Sequence, residues 1–174
     1  MGTTLVFLLS GTLLAATPLL LAAMGELIVE RAGILNLSIE GMMALGAVVG
    51  FATIMATGSH WLALGAGGLA GVALSVLFAG VVLLALGNQV ATGIAVGILG
   101  LGLSGLIGKP YEGMTVAPMK RIPIPVLSDI PIIGPGLFNH SALVYLAPLL
   151  AVGLWWMLRS TRIGLIIRAV GESP

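Results

Sequence analysis

The chain has 174 residues, 59% of them hydrophobic and 7% charged, with a formal net charge of +1. A soluble domain carries roughly 25% charged residues because its surface must face water, so the composition excludes a soluble globular protein and implies an integral membrane protein. The near-neutral charge, with no continuous basic patch, argues against nucleic acid as a partner, and the absence of cysteine excludes disulfides and thiolate chemistry.

A spanning helix needs about 20 apolar residues, each rising about 1.5 Å through a hydrocarbon core of about 30 Å. Five windows meet or approach that length: residues 5–24, 41–57, 61–87, 90–108 and 141–158. Their apolar runs are continuous, without the alternation of barrel strands. The expected fold is therefore all-α, a polytopic transmembrane helix bundle with about five crossings, forming a single domain over residues 1–174. The first window lacks the basic flank of a signal peptide and reads as a retained crossing.

Between the first two windows, "GELIVERAGILNLSIEG" holds Glu26, Glu30, Arg31 and Glu40, whereas Gly41 to Gly108 contains no Lys, Arg, Asp or Glu. Glu26 and Glu30 are four apart and share a helix face, with Arg31 placed to compensate one of them. Gly33 and Gly41 allow the backbone to bend. Two readings of this stretch stay open. It can be an interfacial turn in which Asn36 caps a helix. Alternatively, Asn36, Ser38 and Glu40 enter the bundle and line a polar pathway, since polar groups inside a membrane usually face a cavity or a partner. The second crossing can begin inside "ILNLSIEG".

The third window is long enough to tilt or to contain a break. Asn88 and Gln89 follow it and invite the same two readings, with a tight hairpin favoured. Three GxxxG pairs, Gly46/Gly50, Gly67/Gly71 and Gly93/Gly97, fall in successive crossings and predict close helix packing. Residues 109–140 hold six of the nine prolines and predict a structured loop with a short helix on the membrane surface. After the fifth window come Arg159, Arg162 and Arg168. Clustered cations beside a membrane end mark the cytoplasmic side, so the tail is expected in the cytoplasm and the N-terminus and proline-rich loop outside.

No HExxH, GxSxG or P-loop pattern occurs. His60 and His140 lie at crossing ends without neighbouring metal ligands, and His60–Trp61 and Trp155–Trp156 read as interfacial anchors. No catalytic residue, metal or cofactor is expected in this chain.

Three stretches carry a resemblance. "ERAGILNLSIEGMMALGA" resembles the signature region of permease subunits of ABC importers for nucleosides and simple sugars, within the branched-chain amino acid and ribose-type superfamily. "IPVLSDIPIIGPGLF" resembles the external loop of the nucleoside-type branch, and "STRIGLIIRAVGESP" the approach to the cytoplasmic coupling helix. The resemblance implies a multi-pass subunit of the cytoplasmic membrane that moves a nucleoside, or else a simple sugar. It implies a second permease subunit in a homo- or heterodimer, a pair of cytoplasmic ATPases holding ATP and magnesium, and an extracytoplasmic solute-binding protein, all set in membrane lipid. Asn36, Ser38, Glu40 and Gly41 match the signature. Arg159, Thr161, Arg162, Gly164, Arg168, Gly171 and Glu172 match the approach to the coupling helix. The family continues with an EAA-like segment, so the chain is expected to be truncated before the coupling helix. Two other classes remain: a carrier driven by an ion gradient with Glu40 titrating, disfavoured because the crossings are uncharged at their middles, and a membrane scaffold without transport.

Overall fold

A computed structural model describes residues 2–125, 127, 128, 130 and 133–172. The chain forms two compact units, one made of the first 32 residues with the segment from residue 118 onward, the other of residues 33–117.

The unit of residues 33–117 contains three long helices. Helix α2 runs Ile39–Thr57, α3 runs His60–Ala79 and passes into a π-helical turn at Gly80–Leu84, and α4 runs Gln89–Gly108 before a 3-10 turn at Lys109–Tyr111. Gly58 ends α2 with φ +68°, a left-handed conformation that glycine adopts without a Cβ penalty. Ser59 then caps α3 by accepting the Leu62 N–H at 3.4 Å. α2 packs against both α3 and α4. Met42 and Leu45 of α2, Leu74 and Phe78 of α3, Val82 and Val96 form the buried apolar cluster. Glycines set the spacing. A methyl group on Gly67 would sit 2.6 Å from the Gly46 carbonyl oxygen, and one on Gly50 3.1 Å from that of Ala63. The GxxxG expectation thus holds for Gly46, Gly50 and Gly67, while Gly71 faces open space.

The other unit begins with α1, Gly2–Arg31. Thirty residues rise about 45 Å, well beyond the expected 5–24 window. The apolar run stops at Gly25, but Glu, Leu and Arg are good helix formers, so the backbone hydrogen bonds continue through the charged residues. After it come strand β1 (Arg121–Pro123), helix α5 (Ile133–Leu137), strand β2 (Asn139–Ser141), and helices α6 (Ala142–Ser160) and α7 (Arg162–Glu172). β1 and β2 pair antiparallel, with Ile122 opposite His140. Within the proline-rich loop, Val126, Asp129, Pro131 and Ile132 lie outside the described residues, as do Ser173 and Pro174 of the tail.

His140 lies at a crossing end but is almost fully buried. Its Nε2 donates to the Gly136 carbonyl at 2.8 Å, and its backbone N–H donates to the Tyr145 hydroxyl, which donates in turn to the Ile122 carbonyl at 3.2 Å. These bonds tie α5, both strands and the start of α6 together. His60 Nε2 similarly faces the Ala117 carbonyl at 3.0 Å.

Five helices are long and apolar enough to cross a membrane by length and composition: Thr3–Arg31, Ile39–Thr57, His60–Leu84, Gln89–Tyr111 and Ala142–Ser160. Many of their large apolar side chains, Phe7, Leu69, Val76 and Leu149 among them, are exposed. That is what lipid as a solvent permits.

Candidate functional site

Gly33, with φ +81°, precedes a short non-helical passage through residues 34–36 and a turn at residues 37–38. Buried backbone outside a helix must find partners for its N–H and C=O groups, and neutral side chains supply some here. Gln89 Oε1 accepts the Leu35 N–H at 2.8 Å. Asn36 Oδ1 accepts the Ser38 N–H at 3.0 Å and the Ser38 hydroxyl at 2.5 Å. Ser38 is the N-cap residue of α2, and its hydroxyl serves Asn36 rather than the helix N–H groups. Asn36 and Ser38 are both buried, Ser38 completely.

The opposing wall is a glycine face of α4. A Cβ on Gly93 would lie 2.8 Å from the Leu37 nitrogen, and one on Gly97 3.5 Å from Ser38 Cα. One on Gly100 would lie 2.5 Å from the Gly41 carbonyl oxygen. Conversely, a methyl on Gly41 would strike the Gly97 carbonyl oxygen and come within 2.8 Å of its Cα. Gly41 therefore provides close approach inside α2; the expected bend occurs at Gly33 alone. Ser104 fastens the same pair of helices by donating to the Ala44 carbonyl at 3.1 Å.

The fold brings Asn36, Ser38 and Gln89 together. Asn88 does something different: it caps α4, its Oδ1 accepting the Ala91 N–H at 3.0 Å. The link from α3 to α4 is a tight one, with Leu86 at φ +53°. Glu40 is exposed on the first turn of α2, where the positive end of the helix dipole favours a carboxylate. Thr92 is buried one turn beyond Asn88. Sequence reading does not single it out, although its spacing from Asn88 and Gln89 puts it on their helix face.

The tail residues of the sequence pattern lie on the α6–α7 elbow. Thr161 leaves the helical conformation (φ −112°, ψ 159°). Its hydroxyl donates to the Met157 carbonyl at 2.6 Å and accepts the Gly164 N–H at 3.2 Å, closing α6 and capping α7 together. Gly164 is buried in the elbow, where a Cβ would lie 2.5 Å from Leu158 Cα. Arg159 sits over the Trp155 ring, 5.5 Å from its centroid, and Arg168 Nε donates to the Gly164 carbonyl at 3.3 Å. Arg162 and Glu172 are exposed at the two ends of α7, and Gly171 is half-buried. No group of three or more His, Cys, Asp or Glu that could hold a metal ion occurs among the described residues.

Long apolar helices, one of them entered through a buried neutral turn, define a multi-pass helical membrane protein. The chain belongs to the family described as the permease component of branched-chain amino acid transport systems, whose model matches residues 8–174. It is 42% identical over 171 residues to a proposed glucose ABC transporter permease protein of Haloferax volcanii, covering 96% of this chain and 52% of that one. It is 34% identical over 178 residues to the guanosine ABC transporter permease protein of Bacillus subtilis, covering 94% and 55%. A nucleoside ABC transporter permease protein of Lactococcus lactis subsp. cremoris is 31% identical over 182 residues, covering 98% and 57%. The chain thus spans about half the length of these relatives. No solved structure matches it.

Proposed function

We propose that this chain forms part of the transmembrane permease of an ATP-driven ABC importer, and that its solute is a nucleoside or a simple sugar. The observation that carries the solute class is the likeness to three relatives named for glucose, guanosine and nucleosides. The neutral turn of Asn36 and Ser38, with Gln89 on the adjoining Leu35 N–H, serves that reading by positioning the entry of α2 against α4. In this scheme a second permease subunit completes the pathway, an extracytoplasmic binding protein delivers solute, and two ATPase chains hold ATP and magnesium. Helix α7, with Arg159, Thr161, Arg162, Gly164, Arg168, Gly171 and Glu172 on or beside it, leads toward the ATPase contact. Closure of the ATPases then shifts the bundle between outward-open and inward-open arrangements.

The test is uptake of labelled guanosine and glucose by cells expressing the complete permease with its ATPase and binding protein. Uptake of one of them should persist when a protonophore collapses the ion gradient while ATP is maintained, and stop when the ATPase phosphate-binding lysine is substituted. Asn36→Ala should lower that uptake about tenfold, the consequence of losing roughly one buried hydrogen-bonding group. Uptake that follows the ion gradient would assign the protein to the secondary carriers instead.

A further inference from the structure

A cavity of about 430 Å³ opens between α1, α6 and α7, within the unit that contains all three. Its wall is apolar, with Leu20, Met24 and Leu27 from α1 facing Leu154 and Trp155 from α6. One end differs. Arg31 closes α1, Arg159 lies in the last turn of α6, and Arg168 comes across from α7, and all three line the same cavity. Among the described residues that line it there is no carboxylate. Arg168 uses one of its five N–H donors on the Gly164 carbonyl. The Arg159 guanidinium lies over the ring of Trp155, itself an exposed residue.

We propose that this cavity binds an anionic phospholipid, its phosphate held by Arg31, Arg159 and Arg168 and an acyl chain lying along the α1–α6 wall. The dimensions match. From Leu20 to Arg31 the helix rises about 16 Å, close to one leaflet's half of a hydrocarbon core of about 30 Å. The level matches as well. Trp155 and Trp156 are both exposed just before the end of α6, the position that interfacial aromatic residues take. Helix α7 exposes Ile163, Ile166 and Val170 at helical spacing, the apolar stripe of a helix lying in the headgroup plane. Guanidinium groups fork onto phosphate oxygens with matched geometry, and three of them around one apolar slot give the complementary charge. A zwitterionic lipid would fill the slot but bring its own cation to the arginines. The site requires only residence in a membrane and is independent of which solute crosses.

Brominated lipids, which quench tryptophan on contact, test this directly. The protein carrying Trp61→Phe and Trp156→Phe keeps Trp155 as its reporter and is reconstituted in phosphatidylcholine vesicles. Dibrominated phosphatidylglycerol is compared with dibrominated phosphatidylcholine at equal mole fraction and ionic strength. The expected result is a relative association constant favouring phosphatidylglycerol by about tenfold or more, from three clustered cations against an anionic lipid. Arg31→Gln, Arg159→Gln and Arg168→Gln together should bring the ratio to about one, whereas Lys120→Gln with Arg121→Gln, in the loop of the same unit, should leave it unchanged. Equal quenching by the two lipids, or none by either, in the protein with all its arginines would overturn the proposal without recourse to any variant. So would loss of the preference on removing the two loop cations, which would mark diffuse surface charge.

Discussion

Glycine shows how little a motif says about any one residue. Gly71 belongs to a GxxxG pair yet has nothing within 4 Å of a Cβ position, whereas Gly41 and Gly100 belong to none of the three pairs and make some of the tightest approaches in the fold. Spacing reveals which glycines share a helix face, but the partner backbone is fixed only when α2 and α4 meet. The contrast predicts opposite outcomes for one substitution. Gly41→Ala must push α2 away from the Gly97 backbone, which has no side chain to rotate aside, and should destabilise by about 1–3 kcal/mol. Gly71→Ala meets no obstacle and should be neutral or stabilising by up to about 1 kcal/mol, since alanine is the better helix former. Unfolding of the two variants in mild detergent, followed by circular dichroism against added denaturing detergent, compares them. Equal loss in both would mean that the glycine face does not set the α2–α4 distance. The neutral cluster is more legible. Asn36, Ser38 and Gln89 stand out because they are rare polar groups in apolar surroundings, but that Gln89 serves the Leu35 N–H is a pairing across 54 positions that no local pattern encodes.

At the scale of elements, helices were readable wherever the solvent enforces them. An apolar run long enough to cross lipid must satisfy its own backbone, and all five windows correspond to helices. The ends were less readable, since hydropathy marks where lipid stops and hydrogen bonding marks where the helix stops. For α1 these differ by the seven residues from Gly25 to Arg31. The β1–β2 pair was invisible because strands of three residues carry no periodicity, and their pairing spans the proline-rich loop. The α6–α7 elbow was half visible: the residues that resemble the approach to the coupling helix fall on it, but the shared Thr161 cap and the burial of Gly164 do not show in the pattern. On the proposed coupling role, elbow geometry should govern ATP hydrolysis. Gly164→Ala drives a methyl into the Met157–Leu158 backbone and should reduce solute-stimulated hydrolysis in the complete transporter by about tenfold, if overpacking of 1–3 kcal/mol is spent on opening the elbow. Gly153→Ala, with nothing within 4 Å, should leave it unchanged. Hydrolysis by both variants at the unsubstituted rate would remove the elbow from the coupling route.

For the molecule as a whole, the relative direction of α1 and α6 follows from the contacts they make at their two ends. α1 and α6 line a common cavity along Leu20–Arg31 and Ala151–Arg159, while the segment that leads into α6 packs on Leu9, so their C-terminal ends point the same way. At the other end of α1, a methyl on Gly136 of α5 would lie 3.2 Å from Leu9 Cβ, so the proline-rich loop shares the side of the α1 N-terminus. Three crossings lie between α1 and α6, and an odd number is what a parallel pair requires: each reverses the chain, and α6 must start on the side where α1 started. Arg31, Arg159, Arg162 and Arg168 gather at the C-terminal ends of α1 and α6, while Lys109, Lys120 and Arg121 fall in and before the loop. The clustered arginines lie within a few residues of membrane ends, where the positive-inside bias acts most strongly, and we propose that this end faces the cytoplasm. Single cysteines can be introduced at Ser128 and Ser160, since the chain has none of its own. In intact cells an impermeant maleimide should label Ser128→Cys at once, and Ser160→Cys only after the membrane is opened. The reverse pattern would invert the protein while keeping all five crossings. Labelling of both from outside would instead require an even number of crossings between them, and would take α6 out of the membrane.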